Sequence, residues 1–161
     1  MKRLLYLFIF ALPLLGFTSC SDDDDNPDVN FIIDISDATY VDGTIYVVQG
    51  ETFSIDAVKV VNNEAGKAAL LTYVEYFWDY QRLGTTANAS DNFAFDIFVS
   101  EDTPLGGHLL ELYAPVYAVD KSPAYALLAY DVEVVASEDD IPAGGVTSFT
   151  AVPRLKDTDD K

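Results

Sequence analysis

The sequence predicts an all-β fold, a sandwich of about seven strands arranged in two antiparallel sheets. Short apolar runs with alternating apolar and polar side chains recur after residue 29, and turn residues separate them. No long segment carries the apolar stripe of an amphipathic helix. Half of the 161 residues are apolar and 13% are aromatic, so the chain can fill the core of one domain despite its charge.

The first three strands follow directly from this alternation. They are predicted over Phe31–Ser36, Thr44–Val48 and Thr52–Val61. Gly43 supplies the turn before the second strand and Gly50 the turn before the third, because glycine adopts turn conformations at little steric cost.

The middle of the chain carries the aromatic strands. Leu71–Tyr80 is predicted to be one strand, with Val74, Tyr76 and Trp78 facing the core. Phe93–Ile97 alternates in the same way and is predicted to be the next strand. It is followed by a polar turn that ends at Pro104.

Two long runs complete the sandwich. In the first run, His108, Leu110, Leu112 and Ala114 share one face with Glu111 opposite. The second run is Tyr125–Val135. Val146–Leu155 is expected to add an edge strand, which Pro153 would confine to a border because proline cannot donate to a ladder. Lys156 to the C-terminus is expected to fray.

The N-terminus has the layout of an export signal. Lys2 and Arg3 precede an apolar run, Leu4–Phe17, that is short for a membrane span. Thr18 and Ser19 then precede the single cysteine, Cys20. The alternative is an ordinary secretory signal with a chance cysteine.

Thr18-Ser19-Cys20 resembles the signal of bacterial lipoproteins, although Phe17 stands where a smaller aliphatic residue is typical. The resemblance implies cleavage before Cys20 and a lipid anchor on its sulfur. We therefore predict a signal peptide over residues 1–19, an acidic flexible tether over 20–29, a sandwich domain over 30–136 and a C-terminal extension over 137–161.

Four aspartates, Asp22–Asp25, follow the cysteine closely. They are similar to the acidic signal that sends some lipoproteins of Gram-negative bacteria to the cell surface. The resemblance implies an outer-membrane protein displayed at the surface. A plain solvated tether, with the protein on the periplasmic face, is the alternative.

The segment Val74–Ala114 resembles bacterial immunoglobulin-like domains of surface proteins. Its pattern is an aromatic strand, an acidic turn, a Leu-Gly step, a Phe-rich strand and a Gly-x-His-x-Leu entry to the next strand. Tyr80 departs from the pattern, because that turn position customarily holds glycine. The resemblance implies an immunoglobulin-like sandwich without catalytic residues. The matching positions are Tyr76, Trp78, Asp79, Leu83, Gly84, Phe93, Phe95, Gly106, His108 and Leu110.

Composition and site chemistry exclude several function classes. A net charge of −18 opposes nucleic-acid binding and charge-driven docking on anionic lipid. His108 is the only histidine and is interpreted as structural, so we expect neither an enzyme nor a zinc site. The acidic clusters Glu101-Asp102 and Glu138-Asp139-Asp140 lack the spacing of a calcium loop. No cofactor is expected.

Aromatic residues near the fourth strand are the candidate binding residues. Tyr73, Phe77 and Tyr80 are predicted to face outward, where they could stack on a sugar or a partner protein. The competing interpretation buries them beneath the segment Tyr113–Tyr125.

These observations predict a noncatalytic surface lipoprotein, attached to the membrane through Cys20, that binds an unidentified extracellular protein or glycan. One alternative is a carbohydrate-binding accessory of a nutrient-uptake system. The other is a structural spacer or assembly subunit that adds a strand to a partner.

Overall fold

The computed structural model describes residues 25–158, which form two β-sheets packed face to face. The predicted signal peptide and Cys20 lie outside the described residues. The smaller sheet, sheet A, contains β1 (Val29–Ser36), β4 (Thr52–Asn62), β8 (Phe95–Phe98) and β11 (Ser148–Ala151), in the order β11-β1-β4-β8.

The larger sheet, sheet B, contains eight strands: β2 (Thr39–Val41), β3 (Thr44–Val48), β5 (Ala69–Leu71), β6 (Val74–Trp78), β7 (Gln81–Thr86), β9 (Gly106–Ala118), β10 (Ala124–Val135) and β12 (Arg154–Asp157). Six of them follow the order β2-β3-β10-β9-β6-β7. Of the other two, β12 pairs with β10 and β5 pairs with β9.

The strand order is that of an immunoglobulin-like sandwich, in which strands A, B and E face strands C, F and G. Here β1, β4 and β8 take the places of A, B and E, while β6, β9 and β10 take those of C, F and G. The predicted fold class is therefore confirmed. Both sheets are antiparallel within the described residues apart from β3, which pairs with β10 in parallel.

The core lies between the two sheets and is built from the alternating inward side chains that the sequence indicated. Phe31, Phe53 and Ile55 of sheet A are fully buried against Tyr76 and Leu110 of sheet B. The Tyr76 hydroxyl donates a hydrogen bond of 2.6 Å to the Phe93 carbonyl, so its one polar atom is satisfied inside the core.

Several strand boundaries differ from the sequence prediction. The predicted strand Leu71–Tyr80 is divided between β5 and β6, and the short strands β2 and β7 were not predicted. Val146–Leu155 is not one edge strand. Pro153 lies between β11 and β12, which belong to opposite sheets. Lys156, predicted to fray, pairs with Tyr125 instead.

The described part of the predicted tether also contacts the domain. The Ser122 hydroxyl donates to the Asp25 carboxylate at 2.6 Å, and the Ser122 amide donates to the Asp25 carbonyl at 2.9 Å. Pro27 is buried. The chain is therefore fastened to the turn between β9 and β10 before β1 begins.

Candidate functional site: an aromatic outer face on sheet B

The outer face of sheet B carries an unusual concentration of aromatic side chains. Inward residues of β9 and β10 alternate with outward ones, so burial of Leu112, Ala114 and Val116 turns the intervening side chains outward. The same alternation applies around Ala126 on β10. We call the outward set the aromatic face: Tyr73, Phe77, Tyr113, Tyr117 and Tyr125.

Strand register brings these side chains together. Glu75 on β6 lies opposite Tyr113 on β9, and Tyr113 lies opposite Leu127 on β10. In the neighbouring row, Tyr125 lies opposite Lys156 on β12. Residues that are far apart in sequence thus form adjacent rows across one sheet, as cross-strand pairs do.

The aromatic rings contact one another in pairs. Phe77 and Tyr113 meet edge to face with ring centres 5.1 Å apart. Tyr73 and Tyr125 do so at 6.5 Å, and their hydroxyl groups share a hydrogen bond. These contacts hold the rings in place at the surface and leave part of each ring accessible to solvent.

A carboxylate is buried among these rings. Glu111 faces outward but is only 7% exposed, and it is the only buried charged or polar residue among residues 25–158. Burial raises the pKa of Tyr113, the negative charge of Glu111 raises it further, the Arg154 guanidinium lowers it, and a hydrogen bond with Glu111 adds a smaller increase. The face therefore combines aromatic rings with fixed hydrogen-bonding groups.

A cavity of about 280 Å³ opens at the β12 end of the aromatic face. Strand β12 forms one wall of this cavity. Without β12, the same tyrosines would lie on a flat, open sheet surface. We call it the tyrosine pocket. Six of the residues that line it are Tyr73, Tyr113, Tyr125, Leu127, Lys156 and Asp157.

The structure places the predicted binding residues in or beside this face. Tyr73 and Phe77 face outward and are half-buried, whereas Tyr80 is 79% exposed at the β6–β7 turn. Their proposed contact with a ligand stays a prediction. Tyr113–Tyr125 forms the ends and turn of the β9–β10 hairpin. Its two terminal tyrosines contact Phe77 and Tyr73 and cover part of each ring, so the competing interpretation also stays a prediction.

Tyr80 has a strained backbone. Asp79 and Tyr80 form a two-residue hairpin turn in which both φ angles are positive, at 46° and 66°. Such turns favour Asn-Gly or Asp-Gly, because a side chain disfavours positive φ. Holding a tyrosine here costs about 1–2 kcal/mol, and strain of this kind concentrates at functional positions.

Sequence reasoning missed Glu111, Tyr113, Tyr125 and Lys156 as members of the site. The alternation in Gly106–Ala118 contained the signal for the first two, since inward Leu110 and Leu112 require outward neighbours. The position of Lys156 depends on how β12 pairs with β10. No local pattern gives that pairing.

His108 holds the β6–β7 turn against the loop before β9. Its Nδ1 lies 2.7 Å from the Asp79 carboxylate and its Nε2 lies 2.8 Å from the Pro104 carbonyl. Both partners are hydrogen-bond acceptors, so both ring nitrogens must donate and the imidazolium form is favoured. An imidazole engaged at both nitrogens is poorly placed for proton transfer to a substrate.

Electrostatic surroundings agree with this geometry. Burial alone lowers the pKa of His108, but the hydrogen bonds to Asp79 and Pro104 and the charges of Asp79 and Glu133 outweigh it and raise the pKa. Burial raises the pKa of Asp79, but His108 and the Leu109 amide reverse this and lower it. The pair acts as a structural clamp.

The two sheets contact each other along both lateral edges of the sandwich. On one side, the ring of Phe95 in β8 packs over Gly84 in β7, where an added Cβ would lie 2.7 Å from the ring. On the other side, Tyr40 and Val146 form a β-bridge with hydrogen bonds of 2.9 and 3.0 Å. The bridge pairs the β2 edge at one position, whereas β7 and β8 are the last strands of their sheets among residues 25–158, so strand addition there stays a prediction.

Other site types are not supported within residues 25–158. That part of the chain contains no group of three or more His, Cys, Asp or Glu side chains arranged to hold a metal ion. It also contains no helix long and apolar enough to cross a membrane.

Comparison with known proteins adds little to this geometry. No protein-family profile matches the chain, and no curated protein matches it. The fibronectin(III)-like modules of CbhA from Clostridium thermocellum match with 13% identity and a TM-score of 0.37, over 63% of this chain and 47% of theirs. The chain thus spans about half the length of that structure. A likeness this distant carries no argument about function.

Proposed function

We propose that this protein is a noncatalytic interaction module, lipid-anchored at the cell surface, that binds an extracellular protein or glycan through the aromatic face of sheet B. The observation that carries the proposal is the aromatic face itself. The sandwich is closed by its inward side chains, so folding does not require tyrosines and a phenylalanine on the outside.

The strained turn supports the same proposal. Glycine at position 80 would remove the backbone cost, yet the chain holds an exposed tyrosine there. Tyr80 lies in the turn that directly follows β6, the strand that carries Phe77 of the aromatic face. A bulky exposed ring kept at an energetic cost is better explained by binding than by folding.

Attachment is proposed to depend on Cys20. The apolar run before it and the residues Thr18-Ser19 favour cleavage and lipidation at this position. From Cys20 to Asp25 the backbone can span at most about 18 Å. Because Asp25 is bonded to Ser122, lipidation would place the β9–β10 turn toward the membrane and hold the domain close to it.

Site-specific photocrosslinking on intact cells tests the binding face. A benzophenone amino acid is placed at Tyr117 on the aromatic face and, in a matched variant, at Ile32 on the outer face of sheet A. Benzophenone inserts into C–H bonds of both proteins and glycans. We expect adducts of higher mass from position 117 and none above background from position 32.

Equal adducts from both positions, or adducts from position 32 alone, would contradict the proposal. The anchor is tested separately by metabolic labelling with an alkyne fatty acid. We expect labelling of the wild-type chain and none of the Cys20→Ser variant. An unlabelled wild-type chain that keeps residues 1–19 would refute the anchor.

A further inference from the structure

The tyrosine pocket is the most ligand-like feature of the described residues. Its walls come from three strands and the segment before β6, and its floor is largely aromatic and aliphatic. Lys156, Asp157 and Thr158 are the polar, non-aromatic members of its lining. An apolar floor with a few convergent polar groups is the usual form of a small-ligand site.

We propose that the tyrosine pocket binds a neutral sugar ring of an extracellular glycan. The inference rests on the proposed function and deepens it by naming the ligand class. A pyranose ring has an apolar face of C–H groups and a rim of hydroxyl groups. Tyr113 and Tyr125 present amphipathic rings suited to the first, and the polar rim of the pocket suits the second.

Sugar hydroxyls both donate and accept hydrogen bonds, so a sugar site needs both kinds of partner. Lys156 supplies donors, and the hydroxyl oxygens of Tyr73 and Tyr125 supply acceptors. In the hydroxyl pair of Tyr73 and Tyr125, only one hydrogen lies between the two oxygens. The accepting hydroxyl therefore keeps its own hydrogen, which it can donate to a ligand.

Charge and size favour a neutral sugar over other occupants. The net charge of −18 opposes an anionic ligand, although one cation, Lys156, lies in the lining. The volume of about 280 Å³ is at the lower end of ligand pockets. It suits a sugar-sized ring better than a folded segment of a partner.

An array of neutral and acidic glycans tests the inference. The protein used is the full chain carrying Cys20→Ser. Calorimetry with the neutral oligosaccharide that binds best then gives the affinity. We expect binding to at least one neutral glycan. Tyr125→Ala should weaken it at least tenfold because the stacking ring is lost. Tyr73→Phe should weaken it a few-fold because one hydroxyl of the pair is lost.

Tyr46→Ala is the matched control. Tyr46 faces outward from the same sheet on β3, opposite Glu133 and away from the pocket, so its affinity should stay within twofold of wild type. Each variant is checked for folding by circular dichroism and thermal unfolding. If Tyr125→Ala does not fold, Lys156→Ala on the exposed strand β12 replaces it and should weaken binding several-fold.

Three outcomes would overturn the sugar pocket. They are no binding to any neutral glycan at millimolar concentration, neutral glycan binding that Tyr125→Ala and Lys156→Ala leave unchanged, and pocket-dependent binding of acidic glycans or aromatic peptides alone. In each of these cases, crosslinking from position 117 still measures the proposed function independently of the sugar pocket. The two proposals therefore fail separately.

Discussion

The two outer faces of the sandwich differ sharply in chemistry. The outer face of sheet A is largely polar, apart from Ile32, Val61 and Phe98, and several of its polar side chains bond one another. Lys59 contacts Asp34 at 2.8 Å, and the Ser54 hydroxyl donates to Asp96 at 2.6 Å. The outer face of sheet B carries tyrosines around a buried carboxylate instead. Both faces cover the same core, so the core does not explain the difference.

This comparison separates what folding needs from what it does not. An antiparallel sheet that packs on one side alternates apolar and polar side chains, and sheet A follows that rule. Sheet B follows it on the inside and departs from it on the outside. The departure makes the outer face of sheet B the surface on which we propose to test binding.

The largest expected effect is on stability, and it distinguishes the inward-facing from the outward-facing side chains of β6. Tyr76 is fully buried and stacks on Phe95 at 4.4 Å between ring centres, whereas its neighbour Phe77 belongs to the aromatic face. We expect Tyr76→Ala to lower the free energy of unfolding by about 3–5 kcal/mol. We expect Phe77→Ala to lower it by about 1 kcal/mol or less.

Urea denaturation followed by tryptophan fluorescence measures both values. A third variant, Tyr76→Phe, removes only the hydroxyl that bonds Phe93 and should fall between them. If Phe77→Ala destabilised the fold as much as Tyr76→Ala, the aromatic face would be part of the core and its availability for binding would have to be abandoned.

A smaller effect, of opposite sign, is expected at the turn that joins β6 to β7. Tyr80→Gly removes a side chain from a residue with φ of 66°, so it should raise the free energy of unfolding by about 1 kcal/mol. The same change should weaken binding at the aromatic face. Tyr80→Ala, which keeps a Cβ, should weaken binding without stabilising the fold.

Thermal unfolding and the crosslinking yield from position 117 give the two readouts. Stabilisation with unchanged crosslinking would show that the ring of Tyr80 has no part in binding. A Tyr80→Gly variant that is less stable than wild type would show that the ring packs on the fold instead of merely straining it.

The clamp beneath this turn should make stability depend on pH. The pKa of His108 is raised in the folded state, so its contribution is fully present below the unfolded-state value near 6.5. It is lost as the pH rises through the higher folded-state value. The pKa of Asp79 is lowered, so its contribution is lost only under acid, below the unfolded-state value.

His108→Gln removes the titrating group and keeps a polar side chain of moderate size. We expect the stability difference between wild type and this variant to be about 1 kcal/mol larger at pH 5.5 than at pH 9. The other charged side chains are present in both chains, so their contributions to the difference largely cancel. A difference that grows toward pH 9 would mean that the neutral imidazole is the form the fold prefers.

The alternation of apolar and polar residues along the sequence predicted much of the fold but only part of the candidate site. It predicted β1 and β3 well, because each is a single run bounded by turns, and it assigned Tyr76 to the core. It missed β7 because its hairpin turn contains Asp79-Tyr80 in place of a glycine pair. The turn chemistry that usually announces a hairpin is therefore absent.

The rest of the site depends on contacts between distant parts of the chain. Tyr73 contacts Tyr125 across 52 positions of sequence. Tyr125 lies beside Lys156 only because β12 pairs with β10. Pro153 gave a clue that the C-terminal run was interrupted. It did not indicate that the two halves would join opposite sheets. A pocket made by such pairing has no local sequence signature.

The smallest effect is expected on the polar outer face of sheet A. Hydrogen bonds from Lys59 and Ser148 lower the pKa of Asp34, but both ends of the Lys59–Asp34 pair are partly exposed. A double-mutant cycle with Asp34→Ala and Lys59→Ala should give a coupling energy of about 0.2–1 kcal/mol. The coupling should shrink in 1 M salt, because ions screen exposed charges.

Neither substitution should change the crosslinking yield from position 117, since the altered side chains lie on the opposite sheet. A coupling energy well above 1 kcal/mol would mean that the outer face of sheet A contributes substantially to stability. Reduced crosslinking in either single variant would mean that this face takes part in binding. The difference between the two outer faces would then no longer favour sheet B as the binding surface, because either face would be a candidate.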